Sequence, residues 1–504
     1  MSPVLLFSFV IGYFLLLLAV AYRTSRNSNN ESFFIGNRNS NWMLVAFGMI
    51  GTSLSGVTFV SVPGTVSDFA GGSHKAFGYY QVVIGYWLGY FAVAFILLPL
   101  YYRLRLTSIY DFLQTRLGNT AYKTGALFFI ISRTVGATAR LYLVINVLQI
   151  FILDRIGIPF IATSLVILFM ILLYTLEGGV KTIVYTDTLQ TTFMLLGLIV
   201  CIVYIMTHLD LSFASSMQSL NAKGLTHVFN IDVNSKGFFL KQIIGGMFIT
   251  IAMTGLDQEM MQKNISVKNL RDSQKNMISF SFILLAVNFL FLLLGGLLYL
   301  YALNNQAAFS EHQLLLNGKN TIGDDLFPTI ALNYLPKAVS VIFIIGLISA
   351  LFPSADGALT ALTSSFCIDI LGLKKRDDLN EKKKKRTRMA VHLSFAVVFF
   401  LFIIIFKTIN SKSIINNILD LAGYTYGPLL GLFAFGVFSK RRLPETWLIT
   451  LISLVAPAIC YVLSKYSASW FAGYQIGIEL LLINGALTYF GLWMISKKAF
   501  HAEQ

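Results

Sequence analysis

The amino-acid sequence predicts an all-α integral membrane protein of thirteen transmembrane helices, with the N-terminus outside and the C-terminus in the cytoplasm. Three observations support this prediction. The 504 residues are 56% hydrophobic and their mean hydropathy is +0.71, well above the range of a soluble protein of this length. Apolar stretches of about 20 residues recur along the whole chain. Lysine and arginine residues concentrate in alternate connecting segments.

Thirteen apolar segments have the length of a membrane crossing. The ninth, at 327–368, is too long for one straight helix, so we expect a short interfacial helix before Pro336. No linker rich in proline, serine or glycine divides the chain, and residues 1–504 are therefore expected to form one transmembrane domain. The predicted spans are 3–22, 42–67, 77–102, 122–151, 157–176, 185–207, 238–262, 276–304, 327–368, 389–408, 413–438, 444–464 and 472–496.

Basic residues set the predicted orientation. With the N-terminus outside, the segments expected in the cytoplasm, together with Lys123 at the edge of the fourth span, hold 26 of the 38 lysine and arginine residues, as the positive-inside rule requires. The most basic segment, 374–388, is therefore expected to fix the topology and to contact anionic lipid. The net charge of +15 thus gives no reason to expect a nucleic-acid partner.

The cysteines and histidines exclude several other classes of protein. Three cysteines lie far apart in apolar segments without a CxxC pair, and six histidines are scattered along the chain. This distribution predicts no disulfide framework, no zinc or di-iron site and no cofactor. A membrane-embedded transferase would need catalytic residues or metal ligands clustered at one interface, so we expect that the protein is not an enzyme.

Two predicted spans carry small and polar residues where a membrane helix is normally apolar. These segments are 48–64 in the second span and 244–259 in the seventh. Small residues also serve close helix packing, but unwound backbone at membrane depth lines a cavity and offers carbonyl groups to cations. The two segments begin about 200 residues apart and each opens a set of five spans, which favours two inverted five-helix repeats.

Ionisable residues inside the predicted spans are a second sign of function, because a charge near the bilayer centre costs at least about 2.5 kcal/mol. The spacing of Arg133, Gly136 and Arg140 places all three on one helix face. Mutual neutralisation of arginines and carboxylates is the structural alternative to a binding role. The candidates are Arg133, Arg140, Asp187, Asp257, Glu259, Asp356 and Asp420.

Several longer motifs, in the same order along most of the chain, resemble those of the sodium:solute symporter family, which includes sodium/glucose, sodium/proline and sialic acid transporters. The most specific is a glycine pair followed by TDxxQ, within 174–190. The matching segments are FFIGNRNSNW at 33–42, LPLYYRLRLTSIYDFLQTRLG at 98–118, YTLEGGVKTIVYTDTLQ at 174–190, DQEMMQK at 257–263, SSFCIDI at 364–370 and AGYTYGPLLGLFAFGVF at 422–438.

This resemblance implies the inverted-repeat fold of the leucine transporter. Its ten core helices would lie at 42–438, with an extra N-terminal helix at 3–22 and two C-terminal helices at 444–496. The resemblance also implies a multi-pass carrier of the cell (inner) membrane that works as a monomer. The sodium ion, the solute and the lipid bilayer are then its expected partners.

Within the family, TSLSGVTF at 52–59 is most similar to the sialic acid transporters. In that branch, hydroxyl residues and an aromatic/glutamine pair contact the substrate, and each of them has a matching position in this sequence. The resemblance therefore implies substrate contacts at Ser53, Ser55, Thr58, Phe77 and Gln81.

The arginine with which that branch holds the carboxylate of its substrate does not transfer. Its position falls on Gly136, between Arg133 and Arg140 on the same helix face. Either one of these arginines takes over the role, or the substrate differs. An anionic or polar organic solute agrees with both alternatives.

The resemblance places the main sodium site where the second span unwinds against the ninth. Neutral oxygen ligands of this kind suit a hard cation that must also leave. The family's paired serines become Pro353 and Ser354, so one hydroxyl is lost, while the proline frees the carbonyl of Ser349 as a compensating ligand. The implied ligands are Gly51, Leu54, Ala350, Pro353 and Ser354.

A second ion site of some members uses the TDxxQ aspartate, here Asp187, with hydroxyls of the ninth span. Asp356 and Gly357 occupy the positions of those hydroxyls. Two carboxylates at one site favour a cation between them or a proton on one of them. Asp356 is thus expected to bind sodium, to carry a proton or to pair with an arginine such as Arg133.

These features predict a secondary active transporter that couples sodium to the movement of a small polar or anionic solute, such as a sugar, a sugar acid or a sialic-acid-like compound, by alternating access. Sodium is the coupling ion, and no cofactor is expected. A proton-coupled or uncoupled carrier of the same fold is the alternative, favoured by Pro353 and Asp356. A signalling receptor is a further alternative, although only about eight residues follow the last predicted span.

Overall fold

Nineteen α-helices form most of the structure, a computed structural model that describes residues 3–25, 30–66, 76–305, 308–310, 313–316, 319–320, 323–376, 378–409 and 414–498. The predicted end of the second span at residue 67 and the predicted start of the eleventh at 413 lie outside the described residues. The helices are α1 Pro3–Ser25, α2 Asn30–Ile35, α3 Trp42–Gly64, α4 Tyr79–Ala92, α5 Leu98–Arg103, α6 Asp111–Leu117, α7 Asn119–Leu148, α8 Phe160–His208, α9 Phe213–Ala222, α10 Phe239–Thr250, α11 Gln258–Ile265, α12 Leu270–Asn304, α13 Leu326–Asn333, α14 Lys337–Ser365, α15 Glu381–Ile409, α16 Ile414–Thr425, α17 Gly427–Phe438, α18 Leu448–Trp470 and α19 Leu480–Ile495.

A small antiparallel sheet stands in the connection between α12 and α13. Its strands are β1 Ala308–Ser310, β2 Gln313–Leu316 and β3 Lys319–Asn320, paired in the order β1-β2-β3. The fold of the apolar segments is otherwise helical, as the sequence predicts. The sheet was not predicted, because its strands are too short to show a periodic pattern.

Long apolar helices identify a multi-pass membrane protein. Among the described residues, nine helices are long and apolar enough to cross a membrane, and eleven if each of two bent pairs forms one crossing. A helix or a broken helix pair stands at every predicted span. The bent pairs are Phe239–Gly255 with Gln258–Ile265 and Ile418–Thr425 with Gly427–Phe438, and two shorter apolar helices are Phe160–Leu176 and Leu480–Ile495.

Both predicted helix breaks are confirmed. In α3 the backbone leaves the helical region at Ser55, with φ 52° and ψ 174°. The seventh predicted span divides into α10 and α11, which meet at 64°. The predicted short helix before Pro336 is also present as α13. The breaks at Ser55 and between α10 and α11 lie among buried residues, where unwound backbone is found next to a cavity or other protein groups.

The long α14 lies at the centre of the bundle, packed against α8, α3 and α7. Most of its residues from Phe343 to Ser365 are buried. The backbones of α4 and α10 lie in close contact. A Cβ on Gly85 would lie 2.9 Å from the Cα of Gly246. Glycine at this contact therefore lets the two helices approach more closely than larger residues would.

Candidate functional site

A narrow cavity lined by both polar and apolar side chains opens beside the break in α3. Its volume is about 100 Å³. Three tyrosines of α4 and two arginines of α7 line it. The polar lining residues are Thr52, Ser53, Ser55, Thr58, Tyr79, Tyr86, Tyr90, Arg133, Arg140, Thr250, Thr254 and Asn288.

The structure brings most of the predicted substrate residues to this cavity, but not Phe77 and Gln81. The amide of Gln81 donates to the carbonyl of Gly78 at 2.9 Å and accepts from the backbone N–H of Asn230 at 3.2 Å. Phe77 packs its ring against Phe289. These two side chains hold the N-terminal end of α4 to neighbouring segments and do not line the cavity. The predicted residues that line it are Ser53, Ser55, Thr58, Arg133 and Arg140.

The broken part of α3 lies directly against α14. A Cβ on Gly51 would stand 3.4 Å from Cγ of Pro353, and one on Gly56 would stand 3.8 Å from the carbonyl oxygen of Ala350. The hydroxyl of Ser354 donates to the carbonyl three residues earlier, at 3.1 Å. The residues of the predicted first sodium site are thus buried in one region, and they are Gly51, Leu54, Ala350, Pro353 and Ser354.

Arg133 is neutralised by two carboxylates. Its guanidinium forms an ion pair with Glu259 and lies 3.9 Å from Oδ2 of Asp257. The hydroxyl of Tyr426 donates to the same oxygen of Asp257 at 2.8 Å. Asp257 also caps α11, because its Oδ1 accepts from the backbone N–H of Glu259. For Arg133 the structural alternative, mutual neutralisation, therefore applies.

The ammonium of Lys263 binds Asp187, one of the two aspartates of the predicted second cation site. Its ammonium lies 2.7 Å from Oδ2 of Asp187 and 2.6 Å from the hydroxyl oxygen of Thr52, and it stands 3.6 Å from Glu259. All four side chains are buried. Sequence reasoning missed this contact, because it assigned Lys263 to the cytoplasmic segment after the seventh span. Its place within DQEMMQK, four residues after a buried glutamate, was the available signal.

Asp356 pairs with neutral groups. Its Oδ2 accepts from the hydroxyl of Tyr174 at 2.8 Å, and its Oδ1 accepts from the backbone N–H of Gly357 at 2.5 Å. Within the described part of the chain, no lysine or arginine nitrogen lies within 4.0 Å of its carboxylate. The expectation of an arginine partner such as Arg133 is therefore wrong, since Arg133 is held by other carboxylates. Asp420 differs from the other candidates because it is exposed on α16.

Of the two arginines that line the cavity, Arg140 is the one that has no carboxylate partner among the described residues. It lies about two turns after Arg133 on α7 and lines the cavity wall. In the described residues, no carboxylate oxygen lies within 4.0 Å of its guanidinium. Gly136 stands between the two arginines, and a Cβ there would meet open space. A single unpaired guanidinium among hydroxyl groups is suited to bind an anionic group.

Replacing Gly357 by alanine is expected to lower the free energy of unfolding by about 1–3 kcal/mol. A Cβ at this position would stand only 2.7 Å from Cδ of Glu259, whose carboxylate is held by Arg133 and Lys263 and cannot easily move. Thermal unfolding in detergent measures the change. Gly136→Ala is the matched control, because its added methyl group meets no neighbour; an equal loss in both variants would contradict the prediction.

Broken helices beside a cavity that holds hydroxyl and guanidinium groups, within a bundle of apolar helices, are typical of a secondary transporter. A profile of the sodium:solute symporter family matches residues 33–450. This chain therefore belongs to the sodium:solute symporter family. It is a sodium-coupled solute transporter and not an enzyme, as the sequence predicts.

Individual relatives extend the similarity over nearly the whole chain. A sodium/sialic acid symporter of Aliivibrio fischeri is 24% identical over 94% of this chain and 90% of its own length. A second one, of Proteus mirabilis, is 21% identical over 96% and 94%. The sodium/glucose cotransporter 1 of Oryctolagus cuniculus is 21% identical over 86% and 68%.

Two solved structures share the fold. A substrate-bound, outward-open sodium-coupled sialic acid symporter superposes with a TM-score of 0.80 and 18% identity, covering 98% of this chain and 99% of the other. A nucleobase-cation-symport-1 family transporter in a closed conformation gives 0.53 and 11% identity, over 93% and 95%. At these identities the structures support the fold alone.

Proposed function

We propose that this transporter carries a small hydroxylated organic acid, of the sugar-acid or sialic-acid class, and that Arg140 binds its carboxylate. The observation that carries the proposal is the guanidinium of Arg140, which lines the cavity without a carboxylate partner among the described residues. Guanidinium groups bind carboxylates through two parallel hydrogen bonds. The sialic acid symporters among the relatives support the same class of solute.

The hydroxyl groups that line the cavity together with Arg140 are proposed to bind the hydroxyl groups of the solute. Ser53, Ser55 and Thr58 stand on the broken segment of α3, and Tyr79 and Tyr90 stand on α4. Hydroxyl groups donate and accept hydrogen bonds, as the hydroxyl groups of a sugar acid do. A cavity of about 100 Å³ admits a sugar acid only when the helices around it move apart, which agrees with alternating access.

Sodium is proposed to bind at the contact of α3 with α14, through Gly51, Leu54, Ala350, Pro353 and Ser354. The same stretch of α3 provides sodium ligands and substrate hydroxyls. An ion that fixes the broken backbone therefore also fixes the hydroxyl groups that the solute contacts. The resulting coupling is reciprocal, so sodium raises the affinity for the solute and the solute raises the affinity for sodium.

The proposed topology has thirteen crossings in one transmembrane domain. The two bent pairs and the two shorter helices, Phe160–Leu176 and Leu480–Ile495, would then cross together with the nine long spans. We place the ten-helix core at 42–438, between the N-terminal helix at 3–22 and the C-terminal pair at 444–496. The N-terminus would lie outside and the C-terminus in the cytoplasm of a monomer in the inner membrane.

A thermal-shift screen tests this function. N-acetylneuraminate, glucuronate, glucose and myo-inositol are each added to the purified protein in sodium chloride and in choline chloride. At 100 times its dissociation constant, a ligand adds about 2.7 kcal/mol of stability. We expect this stabilisation for an acid and only with sodium present. Stabilisation by a neutral sugar alone, or equal shifts in choline, would contradict the proposal.

A further inference from the structure

A cavity larger than the one beside the break in α3, and lined by different residues, opens where four connecting segments of the chain meet. Its volume is about 720 Å³, and pockets that bind small molecules usually have about 300–1,000 Å³. The segments join α2 to α3, α5 to α6, α11 to α12 and α14 to α15. In the proposed topology all four segments lie in the cytoplasm.

The side chains that line this cavity carry a large excess of positive charge. Five of the described lining residues are lysine or arginine, and one, Glu381, is acidic. Lys384 lies 3.4 Å from that carboxylate. For the other four cations, no carboxylate oxygen lies within 4.0 Å in the residues that the structure describes. The five cations are Arg38, Arg105, Lys268, Lys374 and Lys384.

Hydrogen bonds hold together the segments that carry these cations. Nη2 of Arg38 donates to the carbonyls of Arg105 and Leu106, at 3.1 and 2.8 Å. The ammonium of Lys374 donates to the hydroxyl of Thr107 at 2.9 Å. Arg38 and Arg105 also have φ angles of 51° and 48°, a conformation that residues with a Cβ rarely adopt. Strained backbone at two cations of one cavity favours a binding site.

Membrane orientation is the structural alternative for these cations, because the positive-inside rule already places lysine and arginine in cytoplasmic segments. That rule does not require the cations to line one cavity, nor to lack carboxylate partners. Arg376, in the same segment as Lys374, shows the ordinary arrangement, since its guanidinium pairs with Asp378 at 2.8 Å at an exposed position. Orientation therefore accounts for the number of cations but not for their convergence.

Apolar residues also line the cavity, and they indicate the kind of anion that fits it. Ile35, Ile368 and Leu373 are buried there, and Phe34 and Tyr102 add aromatic rings. An inorganic ion uses none of this surface, whereas an organic anion buries its carbon atoms against it. A terminal phosphate group carries about two negative charges and has three acceptor oxygens, so it binds several cations at once. The lining thus suits an organic phosphate.

We infer that this cavity is a binding site for an organic phosphate with a terminal phosphate group. The four cations without a carboxylate partner bind its charged oxygens. A ligand held by four segments at once stabilises the arrangement in which they meet. The phosphate belongs either to the head group of an anionic phospholipid or to a soluble phosphate ester, since the same cations bind both. The site does not depend on the proposed solute or sodium ligands, and only its cytoplasmic side rests on the proposed topology.

Thermal unfolding of the full-length protein in a neutral detergent tests the site. The probes are dihexanoylphosphatidic acid, adenosine diphosphate and, as a lipid without net charge, dihexanoylphosphatidylcholine. Each is titrated in choline chloride at a constant ionic strength of about 0.15 M. The dissociation constant follows from the concentration dependence of the stabilisation. Arg105→Gln/Lys374→Gln removes two cations of the cavity, and Lys382→Gln/Lys383→Gln, the matched control, removes two exposed lysines of α15.

We expect saturable stabilisation by at least one of the two phosphate probes and none by dihexanoylphosphatidylcholine. The cavity variant should weaken this binding at least about tenfold, and the control variant less than about twofold. Stabilisation by phosphatidic acid alone assigns the site to a lipid, by adenosine diphosphate alone to a soluble ester, and by both to the phosphate group itself. The inference is overturned if neither phosphate stabilises the protein, if both double variants weaken binding equally, or if phosphatidylcholine binds as well as phosphatidic acid.

Discussion

Replacing Lys263 by methionine is expected to lower the free energy of unfolding by about 3–5 kcal/mol, the usual cost of leaving a buried charge without its partner. Methionine keeps the length of the side chain and removes the ammonium. The variant leaves Asp187 without its 2.7 Å ion pair and removes the cation 3.6 Å from Glu259. Both carboxylates are almost completely buried, so water cannot replace the lost partner.

The measurement is unfolding in detergent, followed with and without sodium chloride. Lys268→Met is the matched control, because Lys268 stands five residues later and is exposed. Sodium should stabilise Lys263→Met more than it stabilises the wild type, since the ion can then bind the oxygens that the ammonium releases. The double variant Lys263→Met/Asp187→Asn should recover part of the loss. A loss below about 1 kcal/mol, the range of surface ion pairs, would show that this pair is not essential.

The helix breaks could be predicted because they depend on local sequence. Glycine, serine and threonine in the middle of an apolar helix weaken it wherever the helix packs, and Ser55 marks the break in α3. The same residues also line the cavity, so part of the candidate site was accessible from the sequence together with the family motifs.

The pairing of buried charges could not be predicted, because it depends on how distant helices rotate against each other. Lys263 pairs with a residue 76 positions away, and Arg133 pairs with one 126 positions away. The 64° bend between α10 and α11 turns Lys263 into the protein, although it stands one residue beyond the predicted span. For Asp420 the error is the opposite one: the sequence suggested a functional charge inside a span, whereas the side chain is exposed on α16.

Replacing Arg140 by glutamine is expected to weaken binding of an acidic solute at least about 100-fold, which corresponds to about 2.7 kcal/mol. Glutamine keeps a hydrogen-bonding side chain but has no charge to offer a carboxylate. Sodium binding in the absence of solute should persist, because Arg140 is not one of the proposed sodium ligands. Thermal shifts with N-acetylneuraminate, and with sodium chloride alone, separate the two effects.

A second variant tests whether binding of the acid requires an arginine at position 140 or only a positive charge on this face of α7. In the variant Arg140→Gln/Gly136→Arg, the guanidinium returns about one turn earlier on the same face of α7, where a side chain meets open space. Partial recovery of acid binding is expected, since a long, flexible arginine reaches the same cavity from either position. Gly136→Ala in the same background should not recover binding. If Arg140→Gln binds the acid as the wild type does, the carboxylate of the solute lies elsewhere in the cavity. Arg133 would then have to leave the buried carboxylates of Glu259 and Asp257 to hold it, which removes a cation partner from both.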